Sequence, residues 1–149
     1  MRSSLAVIAA ALALVAAHTA ALAAGMLKPG DPFPAWSLRD QTGATVTSES
    51  LAGKTYLLWF YPKAQTPGCT TEGRRLRDRF AEFRQRDVEI LGVSFDDPEA
   101  NAAFVKAESF PFRLLSDTDK TLAQQVGAVA SPARNRRSPS CTSKSARAW

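Results

Sequence analysis

Histidine and cysteine are scarce: the 149 residues hold one His and two Cys, and the histidine, His18, stands near the start of the chain. A Cys/His metal cluster is therefore excluded, and so is a histidine general base in the body of the chain. Two thiols cannot build a disulfide framework, and the absence of a Cys-x-x-Cys disfavours a dithiol oxidoreductase. Neither a phosphate loop nor a glycine-rich dinucleotide fingerprint occurs, so nucleotide and flavin roles find no support. No cofactor and no metal are expected. There is also no internal repeat and no length for a second core.

What is present begins with Arg2, an alanine-rich apolar stretch from Leu5 to Ala17 and the small-residue site Ala21-Leu22-Ala23. Together these read as a secretory signal peptide over residues 1–24, cleaved after Ala23 or Ala24. Export to a periplasmic or secreted location follows, with no membrane contact after cleavage. A retained N-terminal membrane anchor is the alternative, because Leu5 to Ala24 nearly spans a bilayer.

Residues 25–133 alternate strand and helix patterns and read as one α/β domain. Asp40-Gln41-Thr42-Gly43 is a turn signal before the returning strand Ala44-Thr45-Val46-Thr47. Ser48 or Ser50 is expected to cap a short turn ending at Gly53. Tyr56-Leu57-Leu58-Trp59-Phe60-Tyr61 is continuously apolar, as suits a central strand covered on both faces, and Pro62 ends it. Cys69, Gly73, Leu76, Phe80 and Phe83 then recur at helical spacing, with Arg74, Arg75, Arg77, Asp78 and Glu82 on the other faces. Val88 to Phe95 is a second strand, and two strands around an amphipathic helix make a βαβ unit with parallel pairing. Asp97-Pro98-Glu99 opens a helix with an expected stripe of Ala100, Phe104 and Ala107. Asp117 is expected to cap a last helix carrying Leu122 and Val126, stopped by Gly127.

The chemistry centres on Phe60 to Thr70, where the apolar run meets a Pro/Gly loop and a cysteine opens the helix. At that helix start, unused N–H groups and the dipole stabilise a Cys69 thiolate, and the neighbouring arginines add positive charge. Thr66, three residues earlier, carries a hydroxyl that both donates and accepts. A thiolate with adjacent donors suits attack on an O–O bond. The competing reading makes Cys69 a small buried apolar residue and Thr66 a turn residue.

Pro62-x-x-x-Thr66-x-x-Cys69, preceded by Phe60-Tyr61, resembles the peroxidatic motif of peroxiredoxins, and most closely that of the bacterioferritin-comigratory (PrxQ-like) group of the thiol-specific antioxidant family. Gly30-Asp31-Pro32-Phe33-Pro34, Leu38-x-Asp40-x-x-Gly43, Leu51-x-Gly53-Lys54 and Leu114-Leu115-Ser116-Asp117 frame it collinearly over about Pro29 to Ser131. The resemblance implies a thioredoxin-like fold, a mixed sheet flanked by helices, and a thiol-dependent peroxidase. By that resemblance Cys69 is converted to a sulfenic acid, Thr66 and the backbone N–H groups near Gly68 and Cys69 orient the peroxide, and Pro62 shields the thiolate. The implied partners are hydrogen peroxide or an organic hydroperoxide and a thioredoxin-like or small-thiol reductant.

Residues 134–149 break the pattern, with no acid and no apolar periodicity; Arg134, Arg136, Arg137, Lys144 and Arg147 match the whole formal charge of +5. They read as a disordered basic tail, without the aromatic interleaving of a nucleic-acid binder, so no nucleic-acid partner is expected. Similar peroxiredoxins continue with two further strands, the first bearing an arginine that holds peroxide and thiolate, and a closing helix. Those elements find no place here, so the fold is expected to lack them and to leave a sheet edge unpaired; Arg137 is the candidate to replace the missing arginine, but no strand pattern surrounds it. The abrupt shift is what an out-of-frame or truncated terminus gives. The resolving cysteine of the PrxQ-like group falls at Arg74, and Cys141 is the other thiol. Either Cys141 resolves Cys69, or it is incidental and Cys69 works in a one-cysteine cycle with an external thiol. A catalytically poor remnant, or a thiol-based redox-sensing or binding module, is the alternative function.

Overall fold

The computed structural model describes residues 27–129 and 142–147. The expected signal peptide, Arg137 and the second thiol Cys141 lie outside the described residues. Strands β1 (Ser37–Asp40) and β2 (Thr45–Thr47) form the expected antiparallel hairpin, Leu38 opposite Val46. Its turn is closed by the Asp40 carboxylate, which accepts from Thr42 N at 2.8 Å, Thr42 Oγ1 at 2.6 Å and Ala44 N at 3.1 Å. Gly43, at φ +84°, takes the left-handed step. A 3₁₀ turn at Glu49–Leu51 follows, but neither serine caps it. The Ser48 hydroxyl accepts instead from Trp36 N at 3.2 Å, and that of Ser50 donates to Thr47 O at 2.6 Å, because both residues face the hairpin that precedes them.

Strand β3 (Thr55–Phe60) is the expected interior strand. Its continuous apolar run is sorted by the two-residue period of a strand. Tyr56, Leu58 and Phe60 enter one core with Trp36, Leu91 and Leu115; Trp59 and Tyr61 enter the other with Cys69, Phe104 and Phe110. Helix α1 (Pro67–Asp78) carries the cysteine, and α2 (Phe80–Arg84) continues it after a break at Arg79, whose φ of −105° and ψ of 10° leave the helical region. The single helical stripe read from the sequence is thus two segments, which keep Leu76, Phe80 and Phe83 packed on the second core. Strand β4 (Val88–Ser94) pairs with β3 in parallel, Trp59 opposite Gly92.

Helix α3 (Pro98–Glu108) starts where expected: the Asp97 carboxylate accepts from Ala100 N at 2.8 Å, with proline at the first turn. Its buried stripe is carried by Asn101 and Phe104, while Ala107 is exposed, so the stripe expected from Ala107 is displaced by a buried polar residue. Strand β5 (Arg113–Ser116) pairs in parallel with β4 and antiparallel with β1. Short helix α4 (Thr121–Gln125) buries Leu122 and Ala123 on the first core and ends before Gly127 at φ +66°. Asp117 tethers it, accepting from Leu122 N at 3.1 Å and Ala123 N at 2.8 Å; burial raises its carboxyl above the usual range.

The sheet has six strands in the order β2-β1-β5-β4-β3-β6, with β6 formed by Thr142–Arg147 and antiparallel to β3. Residues 142–147, read from the sequence as part of a disordered tail, thus form a strand, and the outer edge of β3, expected to be unpaired, is paired. The outer edge of β3 presents a row of N–H and C=O groups, and pairing with it is a backbone interaction that asks for no apolar pattern. Among the described residues no helix is long and apolar enough to cross a membrane. The mixed sheet between α1 and α3 on one face and α4 on the other is the expected thioredoxin-like arrangement.

Candidate active site

The carboxyl end of β3 is where the chain leaves the sheet. Tyr61 N still donates to Val93 O at 2.9 Å; Pro62 has no N–H to continue, and the ladder stops there. The loop that follows is short and pinned. Ala64 N donates to Asp96 Oδ2 at 2.7 Å, and Gln65 takes a left-handed φ of +59°. Thr66 is extended, at φ −80° and ψ 147°, and is the N-cap residue of α1, with Pro67 at the first helical position. A ladder bond of α1 runs from Thr70 N to Thr66 O at 2.9 Å, and Gly68 and Cys69 lie ahead of it in the first helical turn.

Four residues marked in the sequence therefore meet in one loop and one helical turn. Cys69 is buried at 2% exposure, against Trp59, Tyr61 and Ala64; Pro62 and Thr66 are half-buried and Gly68 is exposed. The Thr66 hydroxyl donates to Lys63 O at 3.1 Å and does not cap the helix, which leaves its lone pairs to accept.

Close packing fixes α1 on the sheet. Gly73, one turn after Cys69 on the same face, lies against ring edges: a Cβ there would stand 2.5 Å from Phe110 Cζ and 2.7 Å from Trp59 Cη2. The indole N–H of Trp59 donates to Glu72 Oε2 at 2.9 Å, tying β3 to the helix from its buried side. On the outer side Arg74 forms a two-pronged pair with Glu108, Nε to Oε2 at 2.6 Å and Nη2 to Oε1 at 3.1 Å, and Arg77 Nη1 donates to Glu108 O at 2.8 Å. Two of the arginines expected to add positive charge near the thiol are thus engaged in ion pairs. Arg74 and Arg77 are committed to the end of α3 and to Asp78, since their long side chains reach outward to carboxylates. The Arg74 hydrogen bond holds the Glu108 carboxyl below its usual range.

Behind the loop lies a buried polar cluster that periodicity alone does not reveal. Tyr61 Oη donates to Asn101 Oδ1 at 2.7 Å, Ser94 Oγ donates to the same oxygen at 3.1 Å, and Asn101 Nδ2 donates to Ser116 Oγ at 3.1 Å. Burial first, then the nearby Asp96 and Cys69 charges, push the Tyr61 hydroxyl far above the usual phenol range and keep it a donor. The one signal in the sequence was Asn101 at a core position of α3. No group of three or more His, Cys, Asp or Glu is gathered as metal ligands among the described residues. A shallow depression of about 330 Å³ lined by Arg39, Pro98, Ser116 and Asp119, among others, contains none of the four marked residues.

The chain is similar to known proteins in sequence and in fold. The AhpC/TSA family matches residues 29–144. The chain is 44% identical over 101 residues to peroxiredoxin Bcp of Escherichia coli K12, an alignment that covers 68% of this chain and 65% of that protein. Among solved structures, the Xanthomonas campestris bacterioferritin comigratory protein, described for its alkyl peroxide reduction activity, matches with a TM-score of 0.64 at 32% identity, covering 70% of this chain and 66% of that one. Peroxidoxin BcpB of Mycobacterium tuberculosis matches with a TM-score of 0.67 at 33% identity, over 78% and 73% of the two chains. The chain thus spans about two thirds of the E. coli relative, 65% of its length. With the family match running through the Cys69 loop and the sheet that carries it, the chain belongs to the AhpC/TSA family, among the Bcp/PrxQ-like peroxiredoxins.

Proposed function

We propose that this protein is a thiol-dependent peroxidase that reduces hydrogen peroxide or an organic hydroperoxide at Cys69. The observation that carries the reading is the placement of Cys69 in the first turn of α1, directly after the Pro62–Thr66 loop at the carboxyl end of β3. The Cys69 thiolate attacks the terminal peroxide oxygen; the S–O bond forms as the O–O bond breaks, and the electron pair leaves on the other oxygen, which takes a proton and departs as water or alcohol. Sulfur is oxidised by two electrons to the sulfenic acid.

Backbone N–H groups of the first helical turn at Gly68 and Cys69 stabilise the negative charge that develops on the peroxide, and Thr66 joins them once its hydroxyl turns from Lys63 O. Pro62 covers the thiolate. Arg74 occupies the helical position where a resolving thiol would stand, so the cycle proposed is a one-cysteine one. An external thioredoxin-like or small thiol then condenses with the sulfenic acid, releasing water, and a second thiol frees Cys69. Export of the protein through its N-terminal leader belongs to the same proposal.

The test is a stopped-flow titration of the purified protein with hydrogen peroxide, following tryptophan fluorescence, since Trp59 shares the core of Cys69. Mass spectrometry assigns the sulfenate, and Cys69→Ser is the control. Oxidation at Cys69 far faster than that of free cysteine, absent from the variant, is expected; a rate equal to that of free cysteine overturns the proposal. Rapid stoichiometric oxidation without turnover on added thiol would instead identify a redox sensor.

A further inference from the structure

Asp96 has no part in the chemistry above, yet it touches the reactive loop. Its Oδ2 accepts from Ala64 N at 2.7 Å, and Ala64 is buried in the middle of the segment that leads to Thr66. Its own backbone N–H donates to Ser94 Oγ at 3.2 Å, and Ser94 donates in turn to Asn101 Oδ1. The same Asn101 oxygen receives the hydroxyl of Tyr61, the residue immediately before the loop. Asn101 and Ser94 are both fully buried, and the Asn101 amide is oriented by donation to Ser116 on β5. Two points of the chain, Tyr61 and Ala64, are thus fixed to one rigid frame made of β4, α3 and β5, and the left-handed Gln65 then turns the chain into Thr66 and α1.

Asp96 reaches the loop through a carboxylate oxygen that accepts from Ala64 N. Asp96 and Cys69 both lie close enough to Tyr61 to act on its hydroxyl. The use of Asp96 is its acceptor oxygen. We propose that Asp96 is a positioning residue for Cys69: held through Ser94 to the buried Asn101, it grips the Ala64 N–H and sets the path of the Pro62–Thr66 loop that presents Thr66 and Cys69 to the peroxide. This rests on the peroxidase reading.

Asp96→Asn keeps an acceptor of the same shape without the charge; Asp96→Ala removes it. Three measurements are made on wild type and both variants: the peroxide rate constant, the rate of Cys69 alkylation by iodoacetamide followed on its peptide, and hydrogen exchange at the Ala64 amide. Asp96→Asn is expected to stay within about twofold of wild type in all three, because the hydrogen bond survives. Asp96→Ala is expected to lose about tenfold or more in peroxide rate, as small displacements of reacting groups do, with alkylation undiminished and the Ala64 amide exchanging at least about tenfold faster. Because unfolding would also leave the buried Cys69 open to alkylation, a wild-type circular dichroism spectrum and a cooperative melt establish that Asp96→Ala is folded before the rates are compared. Wild-type peroxide reactivity in a folded Asp96→Ala, or equal losses in Asn and Ala, overturns the proposal. Should Asp96→Ala fail to fold, an unprotected Ala64 amide in wild type overturns it and a protected one retained in Asp96→Asn supports it. If wild type itself reacts like free cysteine, the peroxidase reading fails, and the Ala64 exchange still decides whether Asp96 holds the loop.

Discussion

Replacing Gly73 by alanine measures how closely α1 lies on the sheet. The new Cβ would meet Phe110 Cζ at 2.5 Å, Trp59 Cη2 at 2.7 Å and Phe110 Cε1 at 3.1 Å. Ordinary carbon contacts lie at about 3.5–4.0 Å, so the nearest approach is about 1 Å too short. Neither ring has space to retreat. Trp59 is fully buried and stacked on Tyr61 with centroids 4.4 Å apart, while Phe110 stacks on Phe112 at 5.0 Å and meets Phe104 edge-on at 4.9 Å. Two effects compete: alanine gains about 1 kcal/mol of helix propensity over glycine, and overpacking costs about 1–3 kcal/mol. With two rigid rings struck at once the upper part of that range applies, and the net loss is about 1–2 kcal/mol, or roughly 4–10 °C in the melting midpoint. The strain is relieved by lifting α1. That displaces Cys69, one turn earlier on the same face, and stretches the 2.9 Å bond from Trp59 to Glu72. A shift of about 1 Å at reacting groups costs up to about a hundredfold in rate, so peroxide reactivity falls further than stability does. Thermal melting by circular dichroism and stopped-flow oxidation read the two effects separately. A Gly73→Ala protein melting at or above wild type would show the propensity gain unopposed and refute the close approach.

Tyr61→Phe removes one of the two donors to Asn101 Oδ1 while keeping the ring stack; urea unfolding should show a loss of about 1–2 kcal/mol, and an unchanged midpoint would mean the buried bond contributes nothing net. The Arg74–Glu108 pair gives a pH signature. Because the Glu108 carboxyl is lowered in the folded state, the pair's contribution is fully present above the unfolded glutamate value and is lost as pH falls through the folded one. Arg74→Ala should therefore have a lower urea midpoint than wild type near neutral pH, with the gap closing below about pH 4; a gap independent of pH would rule out the ion pair as its cause.

Much of the architecture was legible because side-chain period reports which face is buried. The run from Tyr56 to Tyr61 announced an interior strand, and the recurrence of Cys69, Gly73 and Leu76 announced the helix that lies on it. Asp97-Pro98 marked the start of α3 and Gly127 the stop after α4, since each supplies a backbone conformation or cap that few residues offer. The break at Arg79 escaped this reading, because Leu76, Phe80 and Phe83 keep helical spacing across it.

The features that escaped it most completely are those built from backbone groups and loops. β6 pairs with β3 through N–H and C=O groups, which every residue but proline carries, so a polar segment, Thr142-Ser143-Lys144-Ser145-Ala146-Arg147, could fill the edge without any pattern to announce it. The Ala64–Asp96 bond joins two loop residues whose sequence separation of 32 has no period, and Asp96 was overshadowed by the helix cap beside it. Both lie at β3, one along its outer edge and the other just beyond its carboxyl end. In the proposed peroxidase the motif names the residue that reacts, but the strand ladder, the Gly73 contact and the Asp96 tether decide where that residue stands. A chain could therefore retain Pro62, Thr66 and Cys69 and still lose reactivity through changes at Gly73 or Asp96, because the geometry of the thiol depends on contacts that the motif does not contain.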